Sequence, residues 1–362
     1  MVKAVVVDQL GGTPTVREVQ LPAVGAGDVR VRIAAAGVCH SDLSLINGTL
    51  TPQFPLILGH EAAGVVVETG SGVTEVAVGT HVVLNWAAPC RTCWFCTHDQ
   101  PWLCSTIEGT VTLDTGVKAG DETIHTALGM GAFAEEVVVP GTAVVAIPDD
   151  IPMDVAALMG CAVLTGVGAV QNTAKVKPGE SVLVIGQGGI GLSAVLGAKL
   201  AGANPIIAVD LNEEKEKLSL QAGATHFLPS DPKIAKQIRA LTEGRGVDHA
   251  FECVGNPTTI RMAWGSVRRG GQCTVVGVGS KSQEVTFNPL ELFHFSRTLT
   301  SSIYGASDPD EDIPTLVQHV IDGSLDLDVL ITHRVTLDDV PAAFDRMATG
   351  EGARSVIELN LA

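Results

Sequence analysis

The sequence predicts an α/β protein in two parts, a doubly wound parallel sheet and a second, β-rich domain. Its 362 residues exceed the usual size of one domain. Residues 163–304 alternate apolar runs, glycine turns and helical stretches, a texture typical of buried parallel strands with helices on both faces. Residues 1–162 carry short strand-like segments separated by Gly, Pro and Asp turns, which indicates a β-rich domain.

The tail of the chain, residues 305–362, is too short to fold alone. Its pattern predicts two helices and a closing strand, and Thr336 with Asp339 forms a capping box before the second helix, which Gly350 ends. We therefore expect residues 305–362 to complete the first domain, around the intervening domain of residues 163–304.

Composition and charge exclude several classes of function. A formal net charge of −17 opposes binding to nucleic acid, which needs a clustered basic surface, and it disfavours an anionic membrane. The N-terminus lacks the features of a signal peptide, so we expect a cytoplasmic protein. Two uncharged stretches, residues 155–174 and 181–198, are as long as a membrane helix, but the glycines and polar residues within them favour buried strand–turn–helix units.

A glycine-rich motif follows the first apolar run of the second domain. The pattern G-x-G-x-x-G is filled by Gly186, Gln187, Gly188, Gly189, Ile190 and Gly191. In a dinucleotide site the first glycine makes a tight turn, the second admits the pyrophosphate, and the third lets helix and strand pack closely. The preceding strand and the following helical segment favour a Rossmann dinucleotide site over a purely structural turn.

The acidic residue that ends the next strand is Asp210, nineteen positions after the motif. A carboxylate there accepts hydrogen bonds from the adenosine ribose and repels a 2′-phosphate, so NAD is favoured over NADP. Lys215 is a candidate for the same ribose, with a solvated surface lysine as the alternative.

Four of the eight cysteines form a cluster in a polar loop, within a lobe of about residues 86–108. The spacing Cys90-x2-Cys93-x2-Cys96-x7-Cys104 lets four thiolates collect around one tetrahedral ion. An iron–sulfur cluster is the alternative, but a ferredoxin run would close with x3 and a proline. Structural zinc is favoured, and four thiolates leave no open position for chemistry.

Two further metal-binding candidates lie in glycine-flanked turns, Cys39 in GVCHSD and His60 in GHEAAG. Their local alternative is an unrelated core thiol and a satisfied histidine. Cys253 and Cys273 lie in strand-like runs and are expected to be buried as small hydrophobic residues.

Taken in order along the chain, GVCHSD, GHEAAGVV, the four-cysteine lobe, Cys161 with Thr165, GQGGIG and Asp210 resemble the medium-chain zinc alcohol dehydrogenases. The resemblance covers essentially the whole chain and matches the branch with two zinc ions. It implies that the β-rich part is a GroES-like catalytic domain beside the Rossmann coenzyme domain.

The resemblance also implies a catalytic zinc bound by Cys39, His60 and Cys161, with a fourth position left for water or the substrate oxygen. Glu61 matches an alternate ligand of that zinc, and Asp42 matches the carboxylate that orients the ligating histidine.

Ser41 matches the hydroxyl that takes the proton of the alcohol. A plain turn serine is the local alternative for this residue. Many members of the family end the proton relay with a histidine where this chain has Ser44, so we assign no terminal base.

The same resemblance assigns cofactor contacts. His40 and Arg354 match pyrophosphate contacts, and Thr165 and the backbone of Val278 match groups that meet the carboxamide. The positions of an apolar alcohol pocket are filled by Trp86, Ala127, Leu128 and Ile303.

These matches predict oxidation of an alcohol with hydride transfer to NAD, and family resemblance suggests a homodimer or homotetramer. A thiol-dependent formaldehyde dehydrogenase is an alternative, although Glu108 replaces the arginine of the glutathione-dependent branch. Two more hypotheses stay open, an enzyme with permanently bound NAD and a non-enzymatic redox sensor that binds NAD and zinc.

Overall fold

The structure, a computed structural model, describes residues 1–108 and 111–359. Its strands, in chain order, are β1 (Val2–Val7), β2 (Thr15–Val19), β3 (Asp28–Gly37), β4 (Leu56–Ile57), β5 (Ala62–Thr69), β6 (His81–Leu84), β7 (Thr112–Leu113), β8 (Lys118–Ala119), β9 (Glu122–Thr123), β10 (His125–Ala127), β11 (Glu136–Pro140), β12 (Val144–Ala146), β13 (Val182–Ile185), β14 (Ile206–Asp210), β15 (His226–Pro229), β16 (Val247–Glu252), β17 (Val267–Val275), β18 (Thr298–Ser301), β19 (Ile331–Val335) and β20 (Arg354–Glu358).

Most of the α-helices are in the second half of the chain. The α-helices are α1 (His40–Ile46), α2 (Met153–Met159), α3 (Ala162–Gly168), α4 (Gly189–Leu200), α5 (Lys215–Ala222), α6 (Ile234–Leu241), α7 (Pro257–Ser266), α8 (Pro289–His294), α9 (Pro309–Ile321) and α10 (Val340–Ala348).

The chain divides into two compact units. The first unit comprises the described residues of Met1–Ala162, Asp308–Gly323 and 331–359, and the second comprises Val163–Ser307 and Ser324–Leu330. Residues 305–307 and 324–330 thus belong to the second unit, although the sequence assigned them to the first. The reason is apolar packing: Leu325, Leu327 and Leu330 are buried, and the turn that contains Leu330 contacts α4 and α5.

The first unit is built from β-sheets. One sheet has the strand order β2-β1-β4-β10-β7, and a second has the order β12-β6-β5-β3-β20-β19, with β11 paired to β3 as well. Most pairs are antiparallel, and β3, ten residues long, pairs with β5 along most of its length. Valine, isoleucine and leucine side chains of β1 to β6 pack into one apolar core.

The tail supplies part of this unit. The two predicted helices are α9 and α10, and the predicted closing strand is β20. The capping box of Thr336 and Asp339 is confirmed, and Gly350 follows the helix with a left-handed φ of 73°. The sequence did not predict β19, a strand that is only half buried and therefore lacks a clear apolar pattern.

The second unit is the predicted doubly wound domain. Its six strands are all parallel, in the order β15-β14-β13-β16-β17-β18, which is the Rossmann order. All four residues of β13 are buried, as expected for a strand covered on both faces. The carboxyl ends of these strands form the edge at which such sheets bind ligands.

Among the described helices, no single one is long and apolar enough to cross a membrane. Only the bent pair Met153–Met159 and Ala162–Thr173, taken together, passes that test of length and composition.

Candidate active site

Three segments of the first unit place their metal-binding atoms together. Cys39 follows the end of β3, His60 lies in the loop between β4 and β5, and Cys161 lies between α2 and α3. The Cys39 Sγ, Cys161 Sγ and one ring nitrogen of His60 lie within 4.8 Å of one another, and all three residues are buried. The structure therefore unites the three residues that the sequence could join only by resemblance.

Asp42 holds this cluster in place from the first turn of α1. Its Oδ1 accepts hydrogen bonds from the Gly59 backbone N–H at 2.9 Å and from His60 Nδ1 at 3.2 Å, and its Oδ2 accepts from the Cys39 N–H at 3.2 Å. His60 Nε2 is buried without a hydrogen-bond partner in the described part of the chain. An imidazole held at Nδ1 by a carboxylate and free at Nε2 fits a zinc ligand.

The electrostatics of the two thiols differ. A hydrogen bond from Cys161 lowers the pKa of Cys39 well below its usual value. Burial alone would raise this pKa, whereas Arg354 and His60 lower it further. The same bond, together with burial, raises the pKa of Cys161. Burial lowers the pKa of His60, but Asp42 and Cys39 outweigh it, and the net shift is upward. The donor set of two thiols and one imidazole leaves one tetrahedral position open on zinc.

Glu61 and Arg354 form a buried ion pair beside the cluster. The Nη2 atom of Arg354, on β20, lies 3.3 Å from Glu61 Oε2. The same guanidinium donates to the Val38 carbonyl at 3.0 Å and to Cys39 Sγ at 3.6 Å. Glu61 Oε1 has no partner within the described residues, and burial raises the pKa of Glu61 to about 7. An acid poised in this way suits the alternate-ligand position that the resemblance gave it.

The placement of Arg354 adds to its predicted role. The sequence assigned Arg354 to the cofactor pyrophosphate, whereas the structure shows its guanidinium engaged with the metal-site residues. Its contact with pyrophosphate stays a prediction, as does that of His40, which is exposed at the start of α1.

Ser41 lies next to the cluster. Its Oγ is 3.8 Å from Cys39 Sγ and the side chain is half buried, so the hydroxyl lies beside the cluster without being sealed in the core. Ser44, one turn further along α1, is buried, which does not suit a residue that ends a proton relay at solvent.

The four-cysteine lobe forms a second cluster in the first unit. The Sγ atoms of Cys90, Cys93, Cys96 and Cys104 lie within 4.8 Å of one another. The backbone N–H of Cys90 donates to Cys104 Sγ at 3.2 Å, and that of Cys93 to Cys90 Sγ at 3.3 Å. Backbone N–H groups from Cys96 and Ser105 lower the pKa of Cys93 to about 5. These bonds stabilise thiolates, so the lobe fits a closed zinc site.

Arg91 ties this lobe to the N-terminus of α9. It has a left-handed φ of 60° and donates to both carboxylate oxygens of Asp308, at 2.5 and 2.6 Å, and also to Asp310. No local pattern predicts this contact, because more than two hundred positions separate the two partners.

In the second unit, each glycine of the dinucleotide motif has the geometry that its position predicts. Gly186 has a left-handed φ of 91° at the end of β13, and nothing lies within 4 Å of a Cβ placed on Gly188. A Cβ on Gly191 would overlap the Gly186 carbonyl. Helix α4 begins at Gly189, followed by Ile190, so its N-terminus lies directly after the open position. The arrangement is that of an anion-binding helix start.

Asp210 ends β14 beside this loop. Its Oδ2 accepts a hydrogen bond from the Gln187 N–H at 2.6 Å, and its Oδ1 accepts from the Asn212 N–H at 2.9 Å. Lys215 is buried rather than a solvated surface lysine, and burial lowers its pKa against the pull of Asp210. The carboxylate therefore holds the glycine-rich loop, and its contact with the ribose stays a prediction.

The remaining predicted residues have these surroundings. In the second unit Thr165 on α3 is buried, while Val278 and Ile303 are half exposed. In the first unit Trp86 and Leu128 are half buried and Ala127 is fully buried in the apolar core. Their roles in binding the carboxamide and the alcohol stay predictions. Cys273 is buried in β17, as expected, and Cys253 is half buried.

The first unit thus carries a buried metal cluster and a thiolate lobe, and the second carries a dinucleotide-binding loop; a chain with all three features has the parts of a zinc-dependent dehydrogenase. Residues 25–149 match the family model for the alcohol dehydrogenase GroES-like domain, and residues 189–322 match the model for zinc-binding dehydrogenase. The chain is 38% identical to the S-(hydroxymethyl)glutathione dehydrogenase of Paracoccus denitrificans, over 98% of this chain and 99% of that relative.

Solved structures agree. An alcohol dehydrogenase zinc-binding domain protein from Burkholderia ambifaria superimposes with a TM-score of 0.94 at 30% identity, over 99% of both chains. Benzyl alcohol dehydrogenase from Acinetobacter calcoaceticus superimposes with a TM-score of 0.92 at 28% identity, again over 99% of both chains. The chain belongs to the medium-chain zinc alcohol dehydrogenase family.

Two polar residues of the second unit were not predicted from the sequence. Gln187, within the glycine motif, is fully buried and joins the Val184 carbonyl to the Ser219 hydroxyl. Glu252 is fully buried at the end of β16. A charged residue that ends an otherwise apolar strand was the signal available for Glu252.

Proposed function

We propose that this enzyme oxidises a primary or secondary alcohol to an aldehyde or ketone and transfers the hydride to NAD. The observation that carries the proposal is the buried cluster of Cys39, His60 and Cys161, with an unpartnered His60 Nε2 in the described part of the chain. A zinc ion bound there supplies Lewis acidity, which brings the pKa of a hydroxyl group down toward about 7.

Other residues of this chain accept the proton, orient the histidine and select the cofactor. Ser41, with Oγ 3.8 Å from Cys39 Sγ, is the acceptor of the alcohol proton. Asp42 fixes the His60 ring through Nδ1. Asp210 braces the loop that receives the dinucleotide, and its charge disfavours a 2′-phosphate.

The substrate class follows from the predicted pocket residues, which are apolar. We infer an alcohol whose far end is uncharged, such as an aliphatic, terpenoid or benzylic alcohol. A second candidate is the S-hydroxymethyl adduct of a thiol, because the relative from Paracoccus denitrificans is named for that activity. Exposed Glu108 would repel the carboxylates of glutathione. For this second candidate we therefore infer an adduct of a thiol other than glutathione.

We also propose a homo-oligomer that forms through the second unit. Strand β18 is at the edge of the parallel sheet, and Leu299 on it is exposed. On α8, Leu290 is 69% and Phe293 82% exposed. An exposed sheet edge beside exposed large apolar side chains is typical of a surface that a second chain covers. Light scattering of the purified protein measures the assembly, and a monomer at micromolar concentration contradicts this proposal.

Cys39→Ala tests the catalytic cluster, with Cys273→Ala as the matched control at a buried thiol outside it. We expect Cys39→Ala to abolish alcohol-dependent NADH formation and to retain about one zinc per chain in the lobe, since the lobe has its own four ligands. Cys273→Ala should keep both zinc ions and most of the turnover. Turnover that survives Cys39→Ala rules out the mechanism.

The substrate is tested by a panel followed at the absorbance of NADH. Primary, secondary and benzylic alcohols are compared with formaldehyde in the presence of glutathione or other thiols. Selective turnover of a thiol adduct would replace the main proposal with the second candidate.

Heating the purified protein and measuring released dinucleotide distinguishes exchangeable NAD from permanently bound NAD.

A further inference from the structure

Glu252 has an unusual position for a carboxyl group. It is fully buried at the end of β16, a strand that lies between β13 and β17 in the parallel sheet. Its Oε1 accepts three hydrogen bonds, from the Val254 N–H at 2.9 Å, the Gly255 N–H at 2.8 Å and the Thr259 hydroxyl at 2.7 Å. One oxygen thus fixes the whole turn that follows the strand.

The backbone of the same residue holds the neighbouring loop. The Glu252 carbonyl accepts from the N–H groups of Val276 at 2.8 Å and Gly277 at 3.0 Å, just after β17. The two turns are in close contact, because a Cβ on Gly255 would lie 2.5 Å from the Val278 carbonyl. Val278 is the residue whose backbone is predicted to meet the carboxamide.

The turn after β16 also contacts the glycine-rich loop. A Cβ on Gly186 would lie 2.6 Å from Val254 Cγ2, so the Val254 side chain packs against that glycine. The side chain of Val254 is 48% exposed at the same edge of the sheet. Through this turn, Glu252 connects the glycine-rich loop to the loop of Val278.

Structural stability alone does not account for this carboxyl group. Glu252 Oε2 is buried with no hydrogen-bond partner in the described part of the chain. Burial raises the pKa of Glu252 against the hydrogen bonds of Thr259, Gly255 and Val254. A buried, half-satisfied carboxyl group costs stability, and such groups cluster where the fold positions a ligand.

We propose that Glu252 is a positioning residue of the dinucleotide site, which sets the Val254–Gly255 turn between the glycine-rich loop and the loop of Val278. The inference rests on the proposed use of NAD. Glu252 does not itself touch the reacting atoms.

Glu252→Ala tests this inference, with binding of NADH measured by calorimetry and zinc content measured in parallel. We expect the Kd for NADH to rise at least tenfold, equivalent to about 1.4 kcal/mol, with the zinc content unchanged. The matched control is Asp248→Ala on the same strand. Asp248 is half buried, and it accepts hydrogen bonds from Ser181 and Arg268 at the opposite end of the sheet. Asp248→Ala should lower the melting temperature and leave the Kd for NADH within about twofold of that of the parent.

Milder variants keep the test decisive if Glu252→Ala does not fold. Glu252→Gln retains the accepting oxygen and should bind NADH like the parent. Thr259→Val removes one of the three bonds and should raise the Kd about threefold, and Thr259→Ser should restore it. Equal effects of Asp248→Ala and Glu252→Ala on the Kd would overturn the inference, as would an unchanged Kd in both Glu252→Ala and Thr259→Val. A parent protein that binds no NADH instead refutes the proposed function.

Discussion

Replacing Asp210 with Asn should shift the cofactor preference towards NADP without dismantling the dinucleotide site. In the parent, the Asp210 carboxylate accepts from the Gln187 N–H at 2.6 Å and from the Asn212 N–H at 2.9 Å. The amide oxygen of Asn keeps one acceptor for this loop, whereas the negative charge is lost. The variant therefore separates the electrostatic role of Asp210 from its role as a brace.

The expected magnitude follows from Coulomb's law. Two unit charges about 4 Å apart interact by about 1 kcal/mol in water and by about 4 kcal/mol at an effective dielectric constant of 20. Asp210 is half buried, so an intermediate repulsion of about 2 kcal/mol is appropriate. Its removal should raise the ratio of kcat/KM for NADP to that for NAD about thirtyfold.

The assay is steady-state alcohol oxidation with each cofactor, at two ionic strengths. Asp210→Gly is the comparison, because it loses the brace as well as the charge and should weaken NAD binding further than Asp210→Asn. A change of less than about threefold in the ratio for Asp210→Asn would refute the electrostatic reasoning. Equal losses of NAD affinity in the two variants would refute the role of Asp210 as a brace.

Three other predictions concern stability. Arg91→Ala should lower the free energy of unfolding by only about 1 kcal/mol, because the pair with Asp308 is bidentate but partly exposed, and should speed zinc release to a chelator. Burial raises the pKa of Asp248, but the hydrogen bonds that its carboxylate accepts outweigh burial and lower the pKa to about 2. The carboxylate therefore stabilises the fold at pH values above its ordinary pKa. In urea titrations at pH 7, Asp248→Asn should have a free energy of unfolding only about 1 kcal/mol lower than that of the parent, because solvent screens part of the interaction. This difference should shrink between about pH 4 and pH 2, as the carboxylate of the parent becomes protonated. Arg354→Ala should destabilise by about 3 kcal/mol in the same assay, because Glu61 stays buried without its partner. A loss under about 1 kcal/mol there would contradict the buried ion pair.

The parts of the fold that depend on local pattern were predictable from sequence. The glycine motif encodes its own geometry, since each of its glycines is required by a turn, an open approach or a close packing contact. The capping box of Thr336 and Asp339 is equally local. The parallel sheet followed from strands whose residues are apolar throughout, as in β13.

The remaining features depend on distant partners. Nothing around Arg354 indicates that its guanidinium is buried against Glu61, because β20 reaches β3 only in the folded unit. The assignment of residues 324–330 to the second unit likewise depends on which helices bury Leu327 and Leu330. Sequence spacing contains no information on such pairings, and only the family resemblance joined Cys39 to Cys161 beforehand.

The order of the metal-site residues along the chain has a consequence for biosynthesis. Cys161 lies at the end of the first continuous segment of its unit, so all three ligands have been synthesised before most of the second unit exists. The ion pair of Glu61, in contrast, forms only after β20 has been made, and β20 follows every segment of the second unit. A nascent chain therefore carries all three residues of the buried metal cluster while the neighbouring Glu61 still lacks its arginine partner.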